Sequence, residues 1–332
     1  MRANRFQAII LYALAVFCMA AGKADTYHED KLIEDAAKAF AFYHSQSLVL
    51  EKIKKTYPNL ASDATLSLLQ FDESFAGSVK RIEVALKAKL GEHWKQFVAG
   101  LRNQTAPDYS EAQAEQFVEG VRRRAEGELP REILVPLLVF NEEYSKWPLK
   151  EIVQGYSTQH TIEGGSSAKG LTFSIDMPTS WAAKEGIRPN IATKLVSHDG
   201  RGIITLTILV LNDPELKGLS DVDFHSASNH ELKSMAENMV PAHFEVKRAD
   251  AVVIDQITGI SMIAQFSERS LADTITAETI VVSLFWDDYT IQIMGSVPIA
   301  VNGKALNVGG LTRWEALLRR MIRSFVLHNQ YQ

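Results

Sequence analysis

Cysteine is almost absent, with Cys18 the only one in 332 residues. A single thiol permits neither an internal disulfide nor a thiolate metal cluster, so stability has to come from packing. Long apolar runs are missing too. The uncharged stretch Ala8 to Phe17 is about half of the ~20 residues needed to cross a bilayer, and no later segment resembles a span. There is no basic excess: 35 Lys and Arg stand against 40 Asp and Glu. Such a balance excludes a nucleic-acid binder, whose partner's phosphates demand a basic face. No G-x-S-x-G elbow is present for a serine hydrolase, and no glycine loop ends in Lys-Ser/Thr to cradle phosphates.

What is present at the N-terminus reads as an address. Arg2 and Arg5 precede the apolar stretch, and the small residues Ala20, Ala21, Gly22 and Ala24 follow it. This is the order of a secretory signal peptide, with Gly22 and Ala24 placed for a cut before Asp25, or a cut nearer Ala21. A retained anchor is disfavoured by the short apolar run. Cys18 raises lipidation, but Phe17 stands where a lipobox has a small residue. Without Arg2, Arg5 and Lys23, Lys and Arg fall from 35 to 32 against 40 Asp and Glu, a formal charge of −8. The expected product is a periplasmic or secreted protein, not membrane-spanning after cleavage near Ala24.

The remaining length, about 300 residues, is where single cores divide in two. From Asp25 to about Gly155 apolar residues recur at helical spacing: Ile33, Ala36, Phe40, Tyr43 and Leu50 behind a Thr26/Glu29 cap, then a short helix from Asp63 to Phe75. A single longer stripe follows through Ile82, Leu86, Leu90, Trp94, Phe97 and Leu101, and Ser110 with Gln113 caps a further helix. Pro130 suits a first helical turn, Pro136 should kink its helix, and Trp147-Pro148 opens the last one. Gly164 to Gly170 reads as a linker. After it the period becomes two, in Leu171, Phe173 and Ile175 and in strands near 191–197, 203–211, 243–249, 259–267, 277–286 and 289–297. Ile280, Val282 and Leu284 alternate with Val281 and Phe285, so this sheet should be covered on both faces. The covers expected are a helix opened by Ser220 and Asp223 and a last helix capped by Thr312 and Glu315. The fold class is therefore α+β: an all-α helical bundle, then an α/β/α-type sandwich on a largely antiparallel sheet. The expected division is 1–24 signal peptide, 25–160 helical domain, 161–170 linker and 171–328 sandwich domain.

Phe173-Ser174-Ile175-Asp176-Met177-Pro178-Thr179-Ser180-Trp181 resembles the opening strand-Pro-Trp signature of the PsbP, DcrB and Mog group. Ile322-Arg323-Ser324-Phe325 resembles the end of that group's closing helix. The resemblance runs from Leu171 to Phe325 and leaves the helical half unassigned. It implies a mostly non-enzymatic module: PsbP domains attach to photosystem II, Mog binds a small GTPase, and DcrB is an envelope protein linked to phage uptake. The signal peptide fits the DcrB branch.

Candidate chemistry is sparse. Ser166-Ser167-Ala168-Lys169 matches S-x-x-K but lies in the glycine-rich segment. Asp221 and His225 share a helical face, from which His230 points about 140° away, poor geometry for one metal ion. His198-Asp199-Gly200 reads as a turn, Asp287-Asp288 as a hairpin turn, and Glu142-Glu143 as a solvated pair; sequence adjacency does not set a glycosidase spacing. Asn103-Gln104-Thr105 is a sequon that matters only in a eukaryotic secretory pathway. Two places are singled out. The loop with Asn302, Gly303, Lys304, Asn307, Gly309 and Gly310 could line a partner or ligand groove, and Arg122-Arg123-Arg124, fanned over about 200°, could touch an anion. No catalytic residue, metal ligand or cofactor is expected. The reading is a non-enzymatic envelope protein that binds another envelope protein. Binding of a small or lipidic ligand is the alternative, and an envelope hydrolase the third.

Overall fold

The computed structural model describes residues 25–331 apart from 76, 104, 187, 213–217, 221 and 271–272. The segment read as a signal peptide (with Cys18), the Thr26/Glu29 cap and Asp221 lie outside the described residues and side chains. Two compact units divide between Glu151 and Ile152.

The first unit is helical: α1 Asp25–Thr56, α2 Ala61–Ser74, α3 Ser78–Leu90, α4 Trp94–Arg102, α5 Glu111–Ala125, α6 Arg131–Val139, α7 Glu142–Lys146 and α8 Leu149–Val153. Their apolar stripes meet in a core holding Phe40, Leu50, Phe71, Ile82, Leu86, Val121 and Leu137. The Ser110 cap forms as a full capping box with Gln113. The long stripe from Ile82 to Leu101 is two helices, because Gly91 takes φ 51° and ψ −118° and a 3-10 turn at Gly91–His93 separates them. Nothing would crowd a Cβ on Gly91, so the break is a backbone requirement. Pro130 is the residue just before α6, and Pro136 lies inside that nine-residue helix.

The second unit is an antiparallel α+β layer structure. Its strands are β1 Ser157–Ile162, β2 Phe173–Pro178, β3 Ala182–Glu185, β4 Ile191–Val196, β5 Thr205–Asn212, β6 Phe244–Ile254, β7 Ile257–Ser270, β8 Asp273–Trp286, β9 Tyr289–Val301, β10 Lys304–Ala305 and β11 Val326–Leu327. The helices α9 Asn229–Met239 and α10 Gly310–Arg323 are threaded among them. The large sheet has the order β3-β4-β5-β9-β8-β7-β6, with β10 on β9, and a small sheet has the order β1-β2-β11. Helix α9 covers Met262, Ala264, Phe266, Val281 and Phe285 on one face. On the other, α10 approaches so closely that a Cβ on Gly295 would lie 3.0 Å from the Leu318 side chain.

Three further expectations need correction. Gly164 to Gly170 is no interdomain linker: it is the loop between β1 and β2, which pair from Ser157↔Pro178 to Ile162↔Phe173, and Ala168 in it is fully buried. β1 escapes a pattern reading because its sequence, STQHTI, is an exposed and polar edge strand. The sheet-covering helix α9 starts at a Ser228/Glu231 capping box. Asp223 caps only a 3-10 turn, Phe224–Ser226, so His225 and His230 are not on one helix. Finally, α10 begins after Gly309, which has φ 80°, and Thr312 lies inside it. Its first free N–H, on Leu311, donates to the carboxylate of Glu278 on β8 at 2.6 Å.

Candidate functional site

The glycine-rich segment before α10 is built from local turns. Asn302 and Gly303 form a left-handed two-residue turn between β9 and β10, with φ 51° and 74°. The Asn302 side chain accepts from Thr274 N–H at 2.7 Å and donates to Asp273 at 2.6 Å. Lys304 pairs with Val301 across that hairpin, and Asn307 is exposed. Gly309 and Gly310 supply positive φ at the helix start, where Glu278 holds the position an anionic ligand would take.

The arginine triplet goes to three places. Arg122 pairs with Asp63 at 2.5 Å and Glu119 at 3.4 Å, and Arg123 lies 3.7 Å from Glu128. Arg124 instead lies against the rings of Phe42 and Phe117, with its guanidinium carbon 5.5 and 5.1 Å from their centroids. The three are brought to no common patch.

A basic surface that pattern reading missed lies on the outer side of α10. Arg320 and Arg323 are exposed, Arg313 and Arg319 half-buried, and Arg319 is paired with Glu315 at 2.8 Å. Arg313, Arg320 and Arg323 enter no ion pair among the described residues. Arg313 to Arg323 spans ten residues, about 15 Å of helix. Arginines in a last turn complement the helix dipole, which accounts for Arg320 and Arg323 but not for Arg313 at the opposite end. A helical wheel of the last helix would have shown this stripe.

In the helical unit, the break at Gly91 leaves a shallow groove of about 430 Å³ lined by Leu90, His93, Gln96, Phe97, Gly100 and Leu101. Elsewhere in the helical unit, burial and then a hydrogen bond to Asp72 push the Tyr43 phenol up to about 12. Burial also raises the Asp72 carboxyl and lowers the His44 imidazole. Glu142 and Glu143 form ion pairs with Lys146 and Lys150. Among the described residues no three His, Cys, Asp or Glu side chains converge to hold a metal ion, and no helix is long and apolar enough to cross a membrane.

No family model matches the chain, and no curated protein sequence does. Solved structures resemble its C-terminal part, as the strand-Pro-Trp segment led us to expect. One is the cyanobacterial PsbP (CyanoP) of Synechocystis, at 12% identity and TM-score 0.32, covering 52% of this chain and 92% of that one. Another is LpqN of Mycobacterium tuberculosis, described as involved in cell envelope biogenesis, at 10% identity and TM-score 0.28, covering 53% and 94%. A protein of Bacteroides thetaiotaomicron is similar at 11% identity and TM-score 0.31, covering 53% and 50%.

Proposed function

We propose that this protein is a non-catalytic accessory module of the cell envelope that docks an acidic protein partner on the outer face of α10. The unpaired arginines of that face carry the reading. Three guanidinium groups without counter-ions among the described residues, on a chain of net charge −5, form a local field opposite to that of the whole molecule. Arginine's planar fork matches carboxylates two bonds at a time, which suits a run of Asp and Glu side chains. The leader-like N-terminus and the strand-Pro-Trp motif support the envelope setting.

The test is binding of the intact protein to polyglutamate and, separately, to vesicles containing an anionic phospholipid, at two salt concentrations. Salt-sensitive binding to polyglutamate, lost in an Arg313→Glu, Arg320→Glu, Arg323→Glu triple variant, is the expected result. Binding to the vesicles alone would reassign the face to a membrane, and binding unchanged by the triple variant would remove α10 from the interface. A second reading, capture of a small apolar ligand, is favoured by the groove at Leu90, Phe97 and Leu101. Fluorescence enhancement of N-phenylnaphthylamine, lost on Phe97→Ser, would support it.

A further inference from the structure

Arg124 holds a positive charge with no counter-ion among the described residues. It enters no ion pair among the described residues, although its neighbours Arg122 and Arg123 both do. The titratable groups acting on it are Tyr109 and Arg123, neither of them a carboxylate. Its guanidinium is partly withdrawn from water, and this desolvation lowers its pKa. One of its five donors is used, by Nη1 to the Gln46 side-chain oxygen at 3.0 Å.

Gln46 adds to the imbalance. It is 3% exposed, and its Nε2 is buried with no acceptor. The amide cannot be turned round to satisfy it, because a guanidinium only donates and has to face the amide oxygen. Both amide atoms sit on one carbon, so the orphan donor lies beside the guanidinium. The cluster therefore has donors in surplus and, among the described residues, no acceptor for the buried one on Gln46, a costly state unless something supplies it.

The surroundings narrow the chemistry. Phe42 and Phe117 lie against the guanidinium, both partly exposed, and Tyr109 stacks on Phe117 with centroids 5.8 Å apart. Arg124 folds back along α5 over Gly120, where an added Cβ would be 3.7 Å from Nη2. One positive charge and one neutral amide balance a monoanion, while the phenyl rings favour an apolar body attached to it. We propose that Arg124 and Gln46 form a binding site for a carboxylate borne on an apolar group, the guanidinium edge holding the carboxylate and the rings of Phe42, Phe117 and Tyr109 receiving the rest.

The probe is 3-phenylpropionate, titrated calorimetrically into the intact protein, with acetate and inorganic phosphate as comparison arms. Saturable binding to one site is expected, with acetate weaker by about tenfold for want of an apolar body. Arg124→Met keeps most of the apolar stem and should weaken binding by at least about tenfold. Gln46→Glu should do the same by a different route, since it places a carboxylate against Arg124 and fills the site from within. Should Arg124→Met fail to fold, the Gln46→Glu result decides alone. Binding that survives Gln46→Glu overturns the proposal, as does the absence of saturable binding. Tighter binding of phosphate than of 3-phenylpropionate overturns the carboxylate assignment.

Discussion

At the scale of single residues, polar side chains of the helical unit take their character from what packs beside them. Tyr43 and Asp72 are an example: burial raises both pKa values, and the phenol donates to the carboxylate. Tyr43→Phe takes that donor from the Asp72 carboxylate, which is exposed. It should lower stability by about 1 kcal/mol, the low end for such a loss because both groups retain some solvent. Urea denaturation of the variant checks this; an unchanged midpoint would mean that water replaces the phenol at no cost. The arginine triplet shows the same dependence on surroundings. Three identical side chains in a row meet three ion pairs, two of them on Arg122, and one aromatic clamp, because successive helical positions differ by about 100°.

At the scale of elements, helix starts decide how far a local reading reaches. The box at Ser110 was legible because both of its arms lie within four residues of sequence. The start of α10 was not: its cap is Glu278, 33 residues earlier on a neighbouring strand. Ser228→Ala should therefore cost about 1 kcal/mol. Thr312→Ala, at the position a local reading assigns as the cap of α10, should change stability by less than about 0.5 kcal/mol. Thermal melts of the two variants side by side test the contrast, and equal losses would contradict the assigned helix starts. Strands with apolar periods were legible almost throughout, down to the two covered faces of β8 around Val281 and Val282. What escaped were features without an apolar period, namely the polar strand β1 and the broken stripe at Gly91. The candidate sites were less legible still. Unpaired charge on Arg124 or Arg320 is defined by what is missing around it in space, which no spacing in sequence records.

At the scale of the whole molecule, stability should respond to acid through its histidines. Burial lowers the pKa of His44 in the helical unit and of His160, which contacts Thr193 at 3.1 Å in the sheet unit. A histidine held neutral in the folded state takes up its proton first in the unfolded chain, at about pH 6.5. Its contribution is then complete above that value and lost as pH falls through the lower, folded value. The melting temperature should be lower at about pH 5 than at about pH 7.5, and a His44→Gln, His160→Gln double variant should show a smaller drop. An equal drop in the variant would assign the effect to carboxylates.

The pairing of β1 with β2 has a practical consequence for anyone who separates the halves. A fragment starting at Leu171, where the strand pattern begins, would lack Ser157 to Ile162 and leave one side of β2 without its ladder partner. An open strand edge is a template for another chain, so such a fragment should self-associate. A fragment cut between Val153 and Ser157 carries its own edge strand and should stay monomeric, a difference that size-exclusion chromatography would display in one run.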